Sequence, residues 1–312
     1  MIYNASIASI AQLISMISSV VIMPLLTRSL GIDVFGQYIY VIAISAFFVL
    51  IIDYGFNISS TKEVSIVRDD IKLRSNIFFE TLYCKVILLI ISFIVVCFLI
   101  IFVESFSILK YEILVGFLYI VGFSMSPIWY YYGVERIGSI SLIMMISRLI
   151  AIPLVFFFVS DESDLQAALI IYAATGILIG SLSLLYLYSK RELIWISIKL
   201  HNVILRLKSG FNLFSALLMV GLYTSVNGLL IGLVSTSSEV AKYAVIEKVV
   251  KTIEGFIATI ALTIFPKISL MKSLDKDKAI TMIHSAAKIL VGMSIVIAIS
   301  LMIYGQDVIV LL

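Results

Sequence analysis

The chain has 312 residues, of which 62% are hydrophobic and only 13% are charged; soluble domains carry roughly 25% charged residues. This composition excludes an ordinary soluble domain, and the long apolar runs that recur along the chain predict an all-α, polytopic membrane protein. The net charge of +3 is small, so the distribution of the charges is more informative than their sum.

The first part of the chain contains six apolar segments long enough to cross a bilayer, for which about 20 residues suffice. They cover residues 5–27, 35–54, 77–103, 111–131, 138–160 and 165–188. The first segment has no basic residues before it and no convincing small-residue cleavage site. We therefore interpret it as a retained helix rather than a signal peptide.

A polar segment, residues 190–208, follows the sixth span. Glu192, Lys199 and Arg206 recur in it at intervals of seven residues, which predicts an amphipathic helix lying on the membrane surface. We expect this segment to join two halves of the protein.

The rest of the chain contains three further predicted spans and the start of another. They cover residues 210–234, 239–266 and 279–303, and a stub begins at Asp307. The second of these three segments carries Glu247, Lys248, Lys251 and Glu254, which fall within about 120° of one another on a helix. Each charge costs roughly 2.5–3.5 kcal/mol at mid-bilayer, so we expect this face to meet protein or a water-filled cavity.

The charged loops predict the orientation. With a cytoplasmic N-terminus, the inner loops 61–76, 133–137, 189–209 and 267–278 carry 14 of the 22 basic residues. The outer loops 28–34, 104–110, 161–164 and 235–238 carry only Arg28 and Lys110. Basic residues concentrate in cytoplasmic loops, so the N-terminus is predicted to be cytoplasmic.

Few residues suit metal or redox chemistry. Cys84 and Cys97 lie in one predicted helix, about 20 Å apart along its axis, so they cannot pair with each other. His201 and His284 are alone in their segments, and the sequence shows no metal-ligand spacing. Neither a metal site nor a cofactor is predicted.

Five basic residues lie at predicted membrane depth: Lys85, Arg148, Lys248, Lys251 and Lys288. Only Glu247 and Glu254 stand against them there, because Asp53 and Glu80 are predicted nearer the inner surface. An excess of positive charge in a cavity favours an anionic transported substrate, which we call the passenger. The alternative is a structural network in which these charges pair.

A weak internal repeat supports two halves. At an offset of 205 residues, Gly36-Gln37-Tyr38 aligns with Ala241-Lys242-Tyr243, and each match follows a helix with a polar stripe. Six spans per unit would keep both halves in the same orientation, and substrate sites usually lie between such repeats. We predict an N-terminal lobe at residues 1–190, a cytoplasmic amphipathic linker at 191–208 and an incomplete C-terminal lobe at 209–312.

Several motifs resemble a known family. They are TRSLG and VFGQY within residues 27–38, IDYGFN (52–57), PIWYYYGVER (127–136), YAVIEK (243–248) and FP (265–266). Together they resemble the O-antigen and polysaccharide-repeat flippases of the multidrug/oligosaccharidyl-lipid/polysaccharide exporter superfamily. The resemblance implies two six-helix lobes around a central cavity. It also implies alternating access that moves undecaprenyl-diphosphate-linked oligosaccharide across the bacterial inner membrane.

This chain departs from that pattern because it has nine full predicted spans and a stub. We expect the native reading frame to continue for roughly 80–120 residues, at about 30–35 residues per span and loop. The resemblance further implies lipid-linked oligosaccharide and the lipid bilayer as partners, and a polysaccharide polymerase and a chain-length regulator as protein partners. It implies no nucleic acid.

Given such a passenger, the candidate site residues take distinct roles. The diphosphate needs cations once it leaves water, for which the candidates are Arg148, Lys85, Lys248, Lys251 and Lys288. The sugars need polar groups, which Asn212, Tyr223 and Asn227 supply. Glu247 or Glu254 exchanges protons for energy coupling or else balances the lysine charges. The aromatic run from Trp129 to Tyr132 stacks on sugars or forms an interfacial belt.

Two other functions stay open. A drug or small-cation antiporter of the same superfamily would favour an acidic cavity, whereas this one is predicted to be basic. A membrane enzyme, such as a repeat-unit polymerase or a lipid-linked glycosyltransferase, typically needs a large extramembrane loop or a cluster of catalytic carboxylates. The sequence DESD at residues 161–164 is such a cluster, but a short exposed outer loop explains it well.

Overall fold

A computed structural model describes residues 2–225, 227–247, 250–251, 254, 288, 291–292 and 294–295. The chain forms two compact units, Met1–Lys242 and Tyr243–Leu312. The helices of the first unit are α1 (Ile2–Asp53), α2 (Phe56–Ile66), α3 (Ile71–Phe102), α4 (Glu104–Ile108), α5 (Lys110–Ser124), α6 (Ile128–Gly133), α7 (Ile137–Phe158), α8 (Leu165–Ser189), α9 (Leu200–Ser225) and α10 (Asn227–Val234). A 3₁₀ turn covers Glu162–Asp164, and residues 237–242 are helical. In the second unit every described residue is helical.

Helix α1 contains two predicted spans because glycine interrupts it. Its 52 residues would extend about 78 Å as one straight helix, whereas the hydrocarbon core is about 30 Å thick. Gly31 lies between the spans with φ 68° and ψ 165°, a conformation that glycine adopts far more readily than other residues. The predicted spans 5–27 and 35–54 are therefore separated at Gly31.

Six helical segments within the described residues are long and apolar enough to cross a membrane. They are Ile7–Ile66, Ile71–Phe102, Lys110–Gly133, Ile137–Phe158, Glu162–Ser189 and Leu200–Thr224. The first of them covers nearly all of the first two predicted spans, and the next four overlap the third to sixth. The last, Leu200–Thr224, begins ten residues before the predicted seventh span at 210–234 and overlaps only its first part. The prediction of an all-α polytopic membrane protein is confirmed. Of the predicted span at 239–266, the structure describes residues 239–247, 250–251 and 254, and these are helical; most of the predicted span at 279–303 and all of the stub lie outside the described residues.

Small residues let α5 and α8 pack closely. A Cβ added at Gly180 would lie 2.1 Å from the carbonyl oxygen of Gly122, and one added at Gly122 would lie 2.3 Å from the backbone nitrogen of Ile177. Without a hydrophobic driving force between helices in lipid, such close backbone contact is a main source of helix association. The first unit therefore depends on glycine at this crossing.

The aromatic run in α6 forms part of the protein core. Trp129, Tyr130 and Tyr131 are fully buried, whereas Tyr132 is exposed. The Tyr130 hydroxyl donates to the carbonyl of Glu192 at 3.0 Å, and the Tyr131 hydroxyl donates to the carbonyl of Ser183 at 2.7 Å. Both predicted roles, sugar stacking and an interfacial belt, are wrong for these three residues because α6 packs inside the bundle.

The predicted amphipathic helix begins later than expected. Residues 192–199 are not helical, and the helix starts at Leu200 and continues as α9. The backbone N–H of Ile194 instead donates to the Ser75 hydroxyl on α3 at 3.0 Å, and Tyr130 binds the carbonyl of Glu192. Contacts to the bundle thus replace intrahelical hydrogen bonds over the first half of this segment.

Candidate functional site

The first unit brings the predicted inner loops together at one end and the predicted outer loops together at the other. We call these the inner end and the outer end. Ion pairs join Arg74, Arg136 and Glu192 at the inner end. At the outer end, a Cβ at Gly31 would lie 3.0 Å from Oε1 of Glu162. The grouping of loops agrees with the predicted topology.

A first charged cluster at the inner end, the Glu192 cluster, consists of Glu192, Arg74 and Arg136. Arg74 Nη2 lies 2.8 Å from Glu192 Oε2, and Arg136 Nη2 binds Oε1 of the same carboxylate. Glu192 is buried. Because each oxygen has its own guanidinium, the cluster fixes the start of residues 192–199 against α3 and the segment before α7.

A second cluster, the Arg206 cluster, joins α9 to α2 and α3. Its members are Arg206, Glu63, Glu80, Ser60 and Thr81. Arg206 Nη2 lies 2.7 Å from Glu63 Oε2, and Arg206 Nε donates to Glu80 Oε2 at 3.2 Å. Nη1 donates to the Ser60 and Thr81 hydroxyls at 3.2 Å each. The Arg206 side chain is 12% exposed, so the contacts form in a largely desolvated setting.

Of the predicted phosphate ligands, Lys85 has an acidic partner. Its side chain is buried, and its Nζ lies 3.4 Å from Asp53 Oδ1. A cavity of about 10 Å³ adjoins the pair and is also lined by Asn57 and Ser124. Asn57 Oδ1 and Ser124 Oγ have no hydrogen-bond partner within the described residues. The pairing removes Lys85 from the predicted surplus of positive charge.

Arg148 differs from Lys85 because no acidic side chain pairs with it in the described part of the chain. It lies near the middle of α7, is half-buried, and lies near Tyr119. Tyr119 stacks on Tyr172, with ring centroids 4.1 Å apart, and Tyr172 meets Tyr38 edge-on at 6.4 Å. The guanidinium therefore adjoins a cluster of tyrosines, and its charge is not neutralised there.

The predicted site residues of the second unit are only partly described. Lys251 Nζ lies 2.8 Å from Glu247 Oε1, one helical turn away. Glu254 and Lys288 are exposed. Lys248 lies outside the described residues.

The predicted sugar-contacting residues follow α9 and α10. Asn212 is exposed on α9, Tyr223 is 83% exposed near its end, and Asn227 is half-buried at the start of α10. In the part of the chain that the structure describes, these three side chains form no hydrogen bond with Arg148 or Lys85. They are open polar groups rather than members of a closed network.

A cavity of about 420 Å³ opens at the outer end, within the usual range of about 300–1,000 Å³ for small-molecule sites. We call it the outer cavity. It is lined by Asp33, Gln37, Tyr40, Ser105, Ile108, Leu109, Gly232, Ser235, Thr236, Ser237 and Val240. Sequence reasoning did not predict it, because the lining comes from three distant segments.

The acidic outer loop is a capped turn. The Ser163 hydroxyl and its backbone N–H donate to Asp161 Oδ1 at 2.6 and 2.8 Å and lower the pKa of this exposed carboxyl. Asp164 Oδ2 accepts from the backbone N–H of Ser160 at 2.8 Å. These carboxylates cap the turn before α8, and the described residues contain no group of three or more His, Cys, Asp or Glu suited to a metal.

Comparison with known proteins identifies the family. The family model described as "Polysaccharide biosynthesis protein" matches residues 1–272. A protein of Escherichia coli K12 named "Putative O-antigen transporter" is 25% identical over 265 residues, covering 84% of this chain and 63% of the relative. A protein of the same name from Shigella dysenteriae is 24% identical over 255 residues, covering 82% of this chain and 64% of the relative. The chain thus spans a little under two thirds of the length of these relatives, and no solved structure matches it. The family expected from the motifs is confirmed: the chain belongs to the polysaccharide biosynthesis protein family.

Proposed function

We propose that this protein is a flippase that moves undecaprenyl-diphosphate-linked oligosaccharide repeat units from the inner to the outer leaflet of a bacterial inner membrane. The names of the two relatives support transport of O-antigen material, and the apolar helices provide the membrane scaffold. The observation that carries the proposal is Arg148, a half-buried guanidinium in the middle of a membrane helix, with no acidic partner among the described residues.

The charge argument is a matter of desolvation. A diphosphate that leaves water needs cationic donors, and guanidinium offers two parallel N–H groups to phosphate oxygens. A charge inside a membrane span usually faces a cavity or a partner and marks a substrate pathway. Arg148 therefore serves as the primary phosphate ligand. Lys248, Lys251 and Lys288 are proposed as further ligands from the second unit.

Lys85 and the carboxylates take secondary roles in this proposal. Lys85 already faces Asp53, so it binds phosphate only if that pair opens. Glu247 already faces Lys251, which favours charge balance over proton exchange for Glu247. Glu254 stays the proposed coupling residue, and Asn212, Tyr223 and Asn227 offer hydrogen bonds to the sugars.

Alternating access is proposed between lobes at residues 1–190 and 209–312, joined by the linker at 191–208. The Arg206 cluster ties α9 to α2 and α3 at the inner end, whereas the outer end holds an open cavity. Within the first unit, these two features support an inner end held by ion pairs and an outer end with an open cavity. Opening of the inner end would require the Arg206 contacts to separate. A polysaccharide polymerase and a chain-length regulator are the proposed partners after transport.

Export of surface polysaccharide tests the proposal. The full-length gene is expressed in a strain that lacks its own flippase, and surface polysaccharide is measured together with the level of protein in the membrane. We expect Arg148→Ala to lower export at least tenfold without loss of membrane protein, and Arg148→Lys to restore only part of it, because lysine cannot form the bidentate contact. The matched control is Leu149→Ala, which changes the next and more exposed residue of α7. Normal export by Arg148→Ala would overturn the role of this guanidinium.

A further inference from the structure

The outer cavity has polar groups that nothing in the proposed phosphate site uses. Its polar lining includes Asp33, Gln37, Tyr40 and Ser235. These side chains combine one carboxylate, one amide, a phenol and a hydroxyl, and so provide both donors and acceptors. The lining residues that the structure describes include no lysine or arginine, which makes them a poor site for a phosphate.

Tyr40 supplies an independent sign of a ligand. Its side chain is 4% exposed, and its hydroxyl has no hydrogen-bond partner within the described residues. A buried hydroxyl without a partner is costly. Tyr40 also lines the outer cavity, and because its oxygen itself has almost no accessible surface, a ligand hydroxyl there would satisfy it after a small shift of the ring.

The surrounding helices hold Tyr40 in place. A Cβ added at Gly232 would lie 2.2 Å from Cδ2 of the tyrosine ring, and Phe106 meets that ring edge-on at 6.2 Å. Nearby, a Cβ at Gly36 would lie 1.9 Å from the carbonyl oxygen of Ser237. Glycine therefore allows α1, α10 and the segment after α10 to approach closely and form a preorganised wall.

We infer that the outer cavity is a carbohydrate-binding site for sugar residues of the passenger as they reach the outer end. Sugar rings present several hydroxyls, which match the neutral donors and acceptors of the lining, and an apolar face, which matches Ile108, Leu109 and Val240. The carboxylate of Asp33 accepts hydrogen bonds from sugar hydroxyls or from an amino group on the ring. This inference rests on the proposed function for the identity of the passenger.

Calorimetric titration tests the site with a probe that lacks the lipid and the diphosphate. The probe is the oligosaccharide repeat unit made by the strain of the export assay, released from its lipid carrier by mild acid. It is titrated into the purified full-length protein. We expect Tyr40→Phe and Gln37→Ala each to weaken binding about three- to tenfold, the loss of one hydrogen bond. Because the Tyr40 hydroxyl has no hydrogen-bond partner among the described residues, Tyr40→Phe should leave the melting temperature unchanged or higher. Tyr111→Phe, an exposed tyrosine outside the cavity, is the control and should bind normally.

Other outcomes separate this site from the phosphate site. Arg148→Ala should bind the phosphate-free probe like the unaltered protein even though it lowers export at least tenfold. If Tyr40→Phe and Gln37→Ala bind normally, or the unaltered protein does not bind the probe, the sugar site is overturned and the proposed flippase function still stands. If both variants weaken binding while Arg148→Ala exports normally, the sugar site is supported and the phosphate role fails. A third outcome would favour a cation site instead. In that case sodium chloride would raise the melting temperature of the unaltered protein, Asp33→Asn would abolish this effect, and the probe would not bind; the sugar inference would then be overturned.

Discussion

The contacts of the Arg206 cluster lead us to expect that a single substitution, Arg206→Ala, releases the start of α9 from α2 and α3. Arg206→Ala removes the shared partner of Glu63 and Glu80. Breaking a buried ion pair costs about 3–5 kcal/mol because it leaves an unpaired charge. Glu63 is 45% exposed, so its share is small, and Asn76 and Asn202 still donate to Glu80 at 2.9 and 3.2 Å. We therefore expect Arg206→Ala to destabilise the contact of α9 with α2 and α3 by about 3 kcal/mol. This corresponds to roughly a 100-fold increase in the population in which the start of α9 is detached.

Cys84 reports this opening without a new label. Its thiol is buried and lies 3.6 Å from the carbonyl oxygen of Val203 on α9. In a Cys97→Ser background, maleimide should label Cys84 slowly in membranes that contain the unaltered cluster and much faster in Arg206→Ala. The control is Arg68→Ala, which breaks the exposed pair with Glu135; such pairs contribute about 0–1 kcal/mol, so labelling should not change. Equal labelling rates for all three proteins would refute the idea that Arg206 holds α9 to α2 and α3.

Two further predictions concern packing and topology. Gly180→Ala places a methyl group 2.1 Å from the Gly122 carbonyl oxygen, whereas the nearest atom to a Cβ at Gly228 is 3.5 Å away. Gly180→Ala should therefore lower the melting temperature of the purified protein, and Gly228→Ala should not. Equal melting temperatures for the two variants would contradict close packing of α5 on α8. With a cytoplasmic N-terminus, Ser163→Cys should react with an impermeant reagent on intact cells and Ser209→Cys only after permeabilisation, and the reverse pattern would invert the predicted orientation.

Local sequence patterns could predict the spans because hydrophobicity and length alone define them. The helix Ile71–Phe102, for example, contains almost all of the span predicted at 77–103, although its first six residues, with Lys72 and Arg74, fall in the predicted inner loop. The break at Gly31 could likewise be predicted, since two spans joined by a short polar turn require a bend. The grouping of loops into two ends follows from the alternation of spans.

The pairing of charges could not be predicted in the same way. Lys85 and Asp53 are 32 residues apart, and Arg206 and Glu63 are 143 residues apart, so their contacts depend on which helices are neighbours. The sequence predicts Lys85 as part of a surplus of positive charge, because Asp53 falls nearer the inner surface by its position in the sequence. Arg206 was placed on a membrane surface because its spacing from Glu192 and Lys199 suited an amphipathic helix, although both Glu192 and Arg206 are held by the bundle.

Transport by the purified full-length protein tests the central claim most directly. The protein is reconstituted into liposomes whose inner leaflet carries lipid-linked oligosaccharide, and appearance of the sugar outside is followed with a lectin or an enzyme that cannot cross the bilayer. We predict that the unaltered protein and Leu149→Ala expose the sugar at similar rates and that Arg148→Ala is at least tenfold slower. The prediction holds if liposomes with Arg148→Ala expose the sugar no faster than protein-free liposomes do. The proposed flippase function is contradicted if liposomes with the unaltered protein also expose it no faster than protein-free liposomes.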